Sequence, residues 1–203
     1  MKIIGVTGPS GSGKTALTEY FSSLGVPTIN ADELYHSMLI PPSECLDAIR
    51  DAFGAEVFSA DGSLDRASLS AIVFNDSKKL ALLNSTVLKI VIAEIKKQLR
   101  KLENSGEKAV IIDAPTLIES GLHNDCNTVI SVISPKEQRL ERISLRDGIT
   151  HNRAQERVKA QKEDQFYISH SDYVLTNDTD KESFLQKIKE LGVTLGLTDF
   201  TQK

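Results

Sequence analysis

The sequence predicts an α/β fold, a five-stranded parallel sheet flanked by helices, and three observations lead to it. Short runs rich in Ile, Val and Thr recur between longer helical patterns at residues 2–7, 26–30, 108–113, 128–134 and 173–176, the alternation that builds a parallel sheet covered by helices. Ala109-Val110-Ile111-Ile112 is apolar without interruption, as a strand buried on both faces should be. The third observation is spacing: roughly eighty residues separate the second run from the third and roughly forty the fourth from the fifth, far more than a crossover helix needs. Something is therefore inserted in each gap.

The elements follow in order. The first strand leads into a helix over 15–24 and the second into one over 33–39. In the first gap, 43–53, 63–74 and 77–101 read as helices. The last carries Leu80, Leu83, Val87, Ile90, Val91 and Ile95 at helical spacing, so a small helical subdomain fits. In the second gap, 135–147 and 150–165 are helical and heavily charged, with Asp147-Gly148 as the breaker. Such a polar hairpin should pack weakly, which suits a mobile lid; the alternative is a solvated surface hairpin. Residues 181–191 form an amphipathic helix closing the sheet, and the last residues are expected to be loose. One domain over 1–203 thus comprises a core (1–32, 104–134 and 168–203), a helical insertion (33–103) and a lid (135–167).

Composition narrows the class. With 203 residues, 40% of them hydrophobic, the chain can bury one sizeable core. A formal net charge of -4 gives no global attraction for nucleic acid or an anionic membrane, so neither is expected as a partner. Met1 to Val6 is too short an apolar run for a signal peptide, and no stretch approaches the ~20 apolar residues of a spanning helix. Cys45 and Cys126 lie far apart and form no CxxC, which points to ordinary thiols rather than a disulfide framework or zinc site. A cytoplasmic protein, monomeric or weakly homo-oligomeric, is the expectation.

The chemistry sits in Gly8-Pro9-Ser10-Gly11-Ser12-Gly13-Lys14-Thr15, a complete GxxxxGK[ST] phosphate-binding loop directly after a strand and before a helix. Glycines let the backbone curl so that successive N–H groups face the phosphates, and the helix presents its positive N-terminal end. Gly8, Gly11, Ser12, Gly13 and Ala16 are accordingly expected on ATP. Lys14 reaches the β- and γ-phosphates, and the Thr15 hydroxyl serves Mg²⁺. A GTPase would place DxxG after its third strand, but that strand ends Asp113-Ala114-Pro115-Thr116, and Thr176-Asn177-Asp178-Thr179-Asp180 lacks the lysine of a guanine reader.

Asp113, at the carboxyl end of its strand, is placed to hold Mg²⁺ or a metal-bound water; the alternative is a helix N-cap or turn aspartate. A kinase for a small alcohol needs a carboxylate that orients the hydroxyl and accepts its proton, and Asp32, just past the second strand, is the candidate base. Its alternative is the N-cap of the helix over 33–39. Arg139, Arg142, Arg146, Arg153 and Arg157 all lie in the polar hairpin. Arg142 and Arg146 share one helix face and are candidates for the ATP phosphates, Arg142 in a catalytic role; the alternative is surface ion pairing with Glu137, Glu141 and Glu156.

Several separate segments together resemble the dephospho-coenzyme A kinase family over nearly the whole chain. Ile4 to Gly8 leading into Gly11-Ser12-Gly13-Lys14 is similar to the family's opening. Asn30-Ala31-Asp32 with His36 resembles its Asp-Ala-Asp segment, and Asp61-Gly62-Ser63-Leu64-Asp65-Arg66 its Asp-Gly-x-Leu-Asp-Arg segment. Asp113 to Leu122 looks like its Pro-Leu-Leu-x-Glu segment, while Arg142, Arg146-Asp147, Arg157 and Gln161 resemble its lid, and Ser171 to Asn177 its closing strand. The resemblance implies a nucleotide core, a helical region that receives dephospho-CoA, and a lid. It implies that Asp32 activates the ribose 3'-hydroxyl, that Asn177 lies near the adenine of ATP, and that His36, Arg66, Pro115 and Leu117 are on the acceptor side. Arg66 suits the acceptor's pyrophosphate, with a surface salt bridge to Asp65 or Asp61 as its alternative.

The chain departs from the family pattern in places. Asn30 stands where an aspartate is usual, Leu88-Lys89 where a His-Pro pair is usual, and Pro9-Ser10 and Thr15 replace Gly-Ile and Ser. Gln138 is one residue further than usual from the lid arginines. The rival readings are another small-molecule P-loop kinase, for a nucleoside, nucleotide or shikimate-like alcohol, and a non-catalytic ATP-binding module. The insertion after Asp32 and the Leu-Asp-Arg segment argue against the first. Retention of Lys14, Thr15, Asp32 and Asp113 argues against the second.

Overall fold

The computed structural model describes residues 1–74 and 76–197. In chain order the elements are β1 (Lys2–Thr7), α1 (Lys14–Ser23), β2 (Thr28–Asn30), α2 (Ala31–Ser37), α3 (Glu44–Phe53), α4 (Arg66–Phe74), α5 (Ser77–Asn104), β3 (Ala109–Asp113), β4 (Thr128–Ile133), α6 (Lys136–Asp147), α7 (His151–Lys159), α8 (Asp164–Ile168), β5 (Tyr173–Thr176) and α9 (Lys181–Leu195). Short 3-10 turns cover Ala55–Val57 and Leu122–Asp125. The expected loose tail falls on residues 198–203, outside the described residues.

The chain forms two compact units, Met1–Ile29 with Leu102–Lys203, and Asn30–Lys101. The first carries a five-stranded parallel sheet in the order β2-β3-β1-β4-β5. β1 runs between β3 and β4, with Ile4 opposite both Ile111 and Thr128, and β4 continues to β5. All five residues of β3 are buried, as its unbroken apolar run requires. Leu17 and Phe21 of α1 and Phe184, Ile188 and Leu191 of α9 close over Ile4, Val6, Ile130 and Val132. That packing fixes the carboxyl ends of β1 and β3, where open α/β sheets assemble their sites.

The polar hairpin expected to serve as a lid belongs to this first unit. Although its sequence is polar, Leu140, Ile143, Ala154 and Val158 form a small core of their own, with Ile149 packed against it. Weak packing, expected from the charge density, is therefore corrected: charges at the other helical positions leave one apolar stripe per helix free to mate. The single helix expected over 150–165 is two, α7 ending at Lys159 and α8 starting at Asp164.

In the second unit, Cys45, Ile49, Phe53, Val57, Leu69 and Val73 form a core against which Leu83, Val87 and Ile90 of α5 pack. The helix expected from residue 63 begins at Arg66. Leu64 instead pairs with Phe58 in an antiparallel bridge, and the Asp65 carboxylate accepts from the N–H groups of Ala67 and Ser68, capping α4. With no proline at Leu88-Lys89, α5 runs unbroken from Ser77 to Asn104. Among the described residues no helix is long and apolar enough to cross a membrane.

Candidate active site

The loop between β1 and α1 is shaped by close backbone approach. Gly8 has φ 131°, and a Cβ there would lie 2.1 Å from the carbonyl oxygen of Val132 in β4, so only glycine fits. Gly13, at φ 109°, is the N-cap of α1 and supplies no capping side chain, nor does the first turn carry an acidic residue. The helix therefore opens on its own N–H groups and positive end, which suits an anion. Lys14 Nζ donates to the carbonyls of Gly8 at 2.7 Å and Pro9 at 3.1 Å, folding its ammonium over the loop. Ala16 is half-buried, while the Thr15 side chain is exposed at the mouth of the loop.

For N–H groups to face inward, the loop carbonyls must face outward and find donors. They do so on three successive residues: Ser10 O accepts from Arg139 Nε at 3.2 Å, Gly11 O from Arg142 Nη1 at 3.1 Å, and Ser12 O from Asn177 Nδ2 at 2.8 Å. Asn177 is buried, and its Oδ1 accepts in turn from Arg142 Nη2 at 3.4 Å. Arg142 also donates to Ser134 Oγ and Gln138 Oε1, each at 2.9 Å. Gln138, one position off the usual spacing, still meets the lid arginine because residues four apart share a helix face. Asn177 thus touches the loop backbone, a contact invisible at a sequence separation of 165 residues.

Among the described residues the hairpin arginines make their ion pairs with aspartates rather than with Glu137, Glu141 or Glu156: Arg139 with Asp164, and Arg146 and Arg157 with Asp147. Hydrogen bonds from Arg146 first, and the charges of both arginines, hold the Asp147 carboxyl below the usual carboxylate range. Burial pushes the Arg139 pKa below the usual arginine value, and Asp164 opposes that shift. Arg146 is exposed and lies 3.4 Å from Ser10 Oγ at the loop's edge; Arg153 is exposed as well.

Asp113 is buried at the end of β3 in register with Val6 of β1, and no helix starts directly after it, which sets aside the N-cap alternative. Thr7 Oγ1 donates to Pro115 O at 3.2 Å, pinning the turn that follows. Leu117 needs correction: it is fully buried, and a Cβ on Gly5 would lie 2.5 Å from it, so it fills the core beneath β1 and offers no surface to an acceptor. Among the described residues no three His, Cys, Asp or Glu side chains cluster to hold a metal ion. The metal candidates expected from the sequence, the Thr15 hydroxyl and the Asp113 carboxylate, both offer oxygen, the donor type a hard cation prefers.

In the second unit, Asn30 is the N-cap of α2; its Oδ1 accepts from the N–H groups of Asp32 at 3.0 Å and Glu33 at 3.1 Å. The capping alternative for Asp32 is thereby overturned, because Asn30 takes that position. The Asp32 carboxylate is left exposed in the first turn, and Asn30 caps the helix without adding a second charge. His36 is exposed one turn further on, beside the Tyr35 ring. Arg66 is exposed and lines a cavity of about 190 Å³ with Tyr35, Leu39, Leu69 and Leu83. Its salt-bridge alternative does not form: Asp61 accepts from Ser63 and Asp65 caps α4.

A family model described as dephospho-CoA kinase matches residues 2–183. The chain belongs to the dephospho-CoA kinase family. The dephospho-CoA kinase of Carboxydothermus hydrogenoformans is 32% identical over 188 residues, spanning 93% of this chain and 91% of the relative. That of Shouchella clausii is 34% identical over 185 residues, 91% of this chain and 94% of the relative. The solved dephospho-CoA kinase of Campylobacter jejuni superposes with a TM-score of 0.71 at 27% identity, covering 97% of this chain and 99% of that one. As a dephospho-CoA kinase family member the chain is a phosphotransferase, which sets aside the nucleoside- and shikimate-like readings and the silent binder. Against the family pattern, sequence reasoning left out Asn30 as a cap and Arg139 as a loop contact. For Arg139 a signal existed: residues 139, 142 and 146 form one i, i+3, i+7 stripe on α6.

Proposed function

We propose that this chain transfers the γ-phosphoryl group of ATP to the ribose 3'-hydroxyl of dephospho-CoA, giving coenzyme A and ADP, the final step of coenzyme A synthesis, in the cytoplasm. The observation that carries the reading is the uncapped N-terminus of α1 behind a complete phosphate-binding loop, in a chain of this family. The loop N–H groups and Lys14 hold the β- and γ-phosphates, Lys14 exchanging its loop carbonyls for phosphate oxygens. Arg146, exposed at the loop's edge, meets charge on the transferring group, and Arg142 would do so on exchanging its present acceptors, Gly11 O among them, for phosphate oxygens. Asp32 accepts the hydroxyl proton as the 3'-oxygen attacks phosphorus in line with the departing ADP oxygen. Mg²⁺, held by Thr15 and Asp113 with phosphate oxygens, would offset charge on the β- and γ-phosphates. The Asn30–Lys101 unit is read as the acceptor side, with Arg66 for the pyrophosphate and His36 as a further acceptor contact; Pro115 of the first unit is read as acceptor-binding as well.

A coupled assay for ADP release, with dephospho-CoA offered against adenosine, AMP and shikimate, tests this. ADP release only with dephospho-CoA, and a product one phosphoryl group heavier, is expected. Turnover with another acceptor alone would replace the reading.

A further inference from the structure

We propose that Arg139 is a positioning residue for nucleotide binding, which sets the peptide groups on both sides of Ser10 and couples the phosphate-binding loop to both limbs of the lid. The proposal rests on the reading that this loop binds ATP. Arg139 projects from α6, yet it is only 5% exposed, unlike Arg146 and Arg153. Its guanidinium makes a bond on each nitrogen: Nε to Ser10 O at 3.2 Å, Nη2 to Gln161 Oε1 at 2.9 Å and Nη1 to Asp164 Oδ1 at 3.3 Å. Gln161 Oε1 also accepts from Ser10 N–H at 3.2 Å. Ser10 is therefore gripped at its carbonyl by Arg139 and at its N–H by an amide that Arg139 itself orients.

Because Gln161 lies in the turn between α7 and α8 and Asp164 begins α8, one planar group ties that turn, α6 and the loop together. An arginine is needed for this: its donors form a rigid fork, whereas a lysine ammonium is a point charge on a flexible stem and cannot span the three acceptors. Buried among these partners, Arg139 is spoken for by the loop backbone and is not disposed to reach a phosphate. Its influence on the reaction passes through the angle at which the loop N–H groups are presented.

The test uses Arg139→Ala and Arg139→Lys in the full chain, with thermal melts to verify folding and calorimetric titration of ATP and ADP without acceptor. Both variants should bind ATP and ADP ~10-fold more weakly, while the KM for dephospho-CoA stays within about twofold, since the loop grips the nucleotide and not the acceptor. Arg139→Lys keeps the charge and the aliphatic stem, so it decides the matter if Arg139→Ala does not fold. Unchanged ATP affinity in a folded variant would overturn the proposal, as would a fall in kcat with affinity intact, which would put Arg139 on the transferring group. The titrations need no acceptor, so their result is separate from whether dephospho-CoA proves to be the substrate.

Discussion

Replacing Asn177 with Ala separates two roles for that residue. Its Nδ2 lies 2.8 Å from Ser12 O in a site only 7% exposed, so the substitution removes a well-made bond and leaves a buried loop carbonyl short of a donor. A hydrogen bond is worth ~1 kcal/mol net, and stranding its buried partner raises the cost to ~1–3 kcal/mol. In a chain of this size each kcal/mol moves Tm by about 2–4 °C, so the middle of that range gives a drop of about 4–8 °C. The peptide between Ser12 and Gly13, released from its tether, presents its N–H less well, and nucleotide affinity should fall ~10-fold, equivalent to about 1.4 kcal/mol. The assay is a thermal melt together with titration of ATP and GTP. A brace on the loop weakens both nucleotides equally, whereas a residue reading adenine changes their ratio. Parental melting with an altered ATP-to-GTP preference would refute the bracing role.

Other residues give further expectations. Asp32→Asn should lower turnover by ~10²-fold or more, measured by ADP release, with ATP affinity nearly unchanged, as for a general base. Lys14→Ala should weaken ATP in titration and slow turnover as well, because the ammonium serves both bound and transferring phosphates. Asn30→Ala removes the cap of α2 and should cost ~1 kcal/mol in urea denaturation, with kcat falling because Asp32 sits in the turn that the cap holds. Burial, aided by the Asp125 carboxylate, pushes the Cys126 thiol up to about 12, so it stays protonated at neutral pH; iodoacetamide should label it slowly at pH 8 and faster only as pH approaches 12.

The sheet and the phosphate-binding loop were legible because their signals are local. Lys2–Thr7 and Ala109–Asp113 announce buried strands by composition, and the glycine pattern between Thr7 and Thr15 sits between a strand and a helix as the motif demands. Helix ends were less legible, since side-chain chemistry decides them: Asn30 starts α2 earlier than Glu33, and Asp65 holds off α4 until Arg66. The split between α7 and α8 follows tertiary demand, because Gln161 and Asp164 in and beside the break are drawn to Arg139. Least legible were the donors to the loop carbonyls. Arg139, Arg142 and Asn177 reach Ser10, Gly11 and Ser12 across 129 to 165 residues of chain, and a single sequence carries no periodicity for such pairs. Leu117 was misread for a related reason: beside Pro115 it belongs to a segment that resembles an acceptor-side motif, yet Gly5 opens a space in β1 that its side chain fills.

The most direct measurement offers the parent protein, with ATP and Mg²⁺, two acceptors in parallel: dephospho-CoA and its 3'-deoxy analogue. Transfer to the ribose 3'-hydroxyl predicts ADP release and a product one phosphoryl group heavier with the first, and no release above the acceptor-free rate with the second. Equal phosphorylation of the analogue would contradict the assigned acceptor atom, and no turnover of dephospho-CoA would contradict the activity itself.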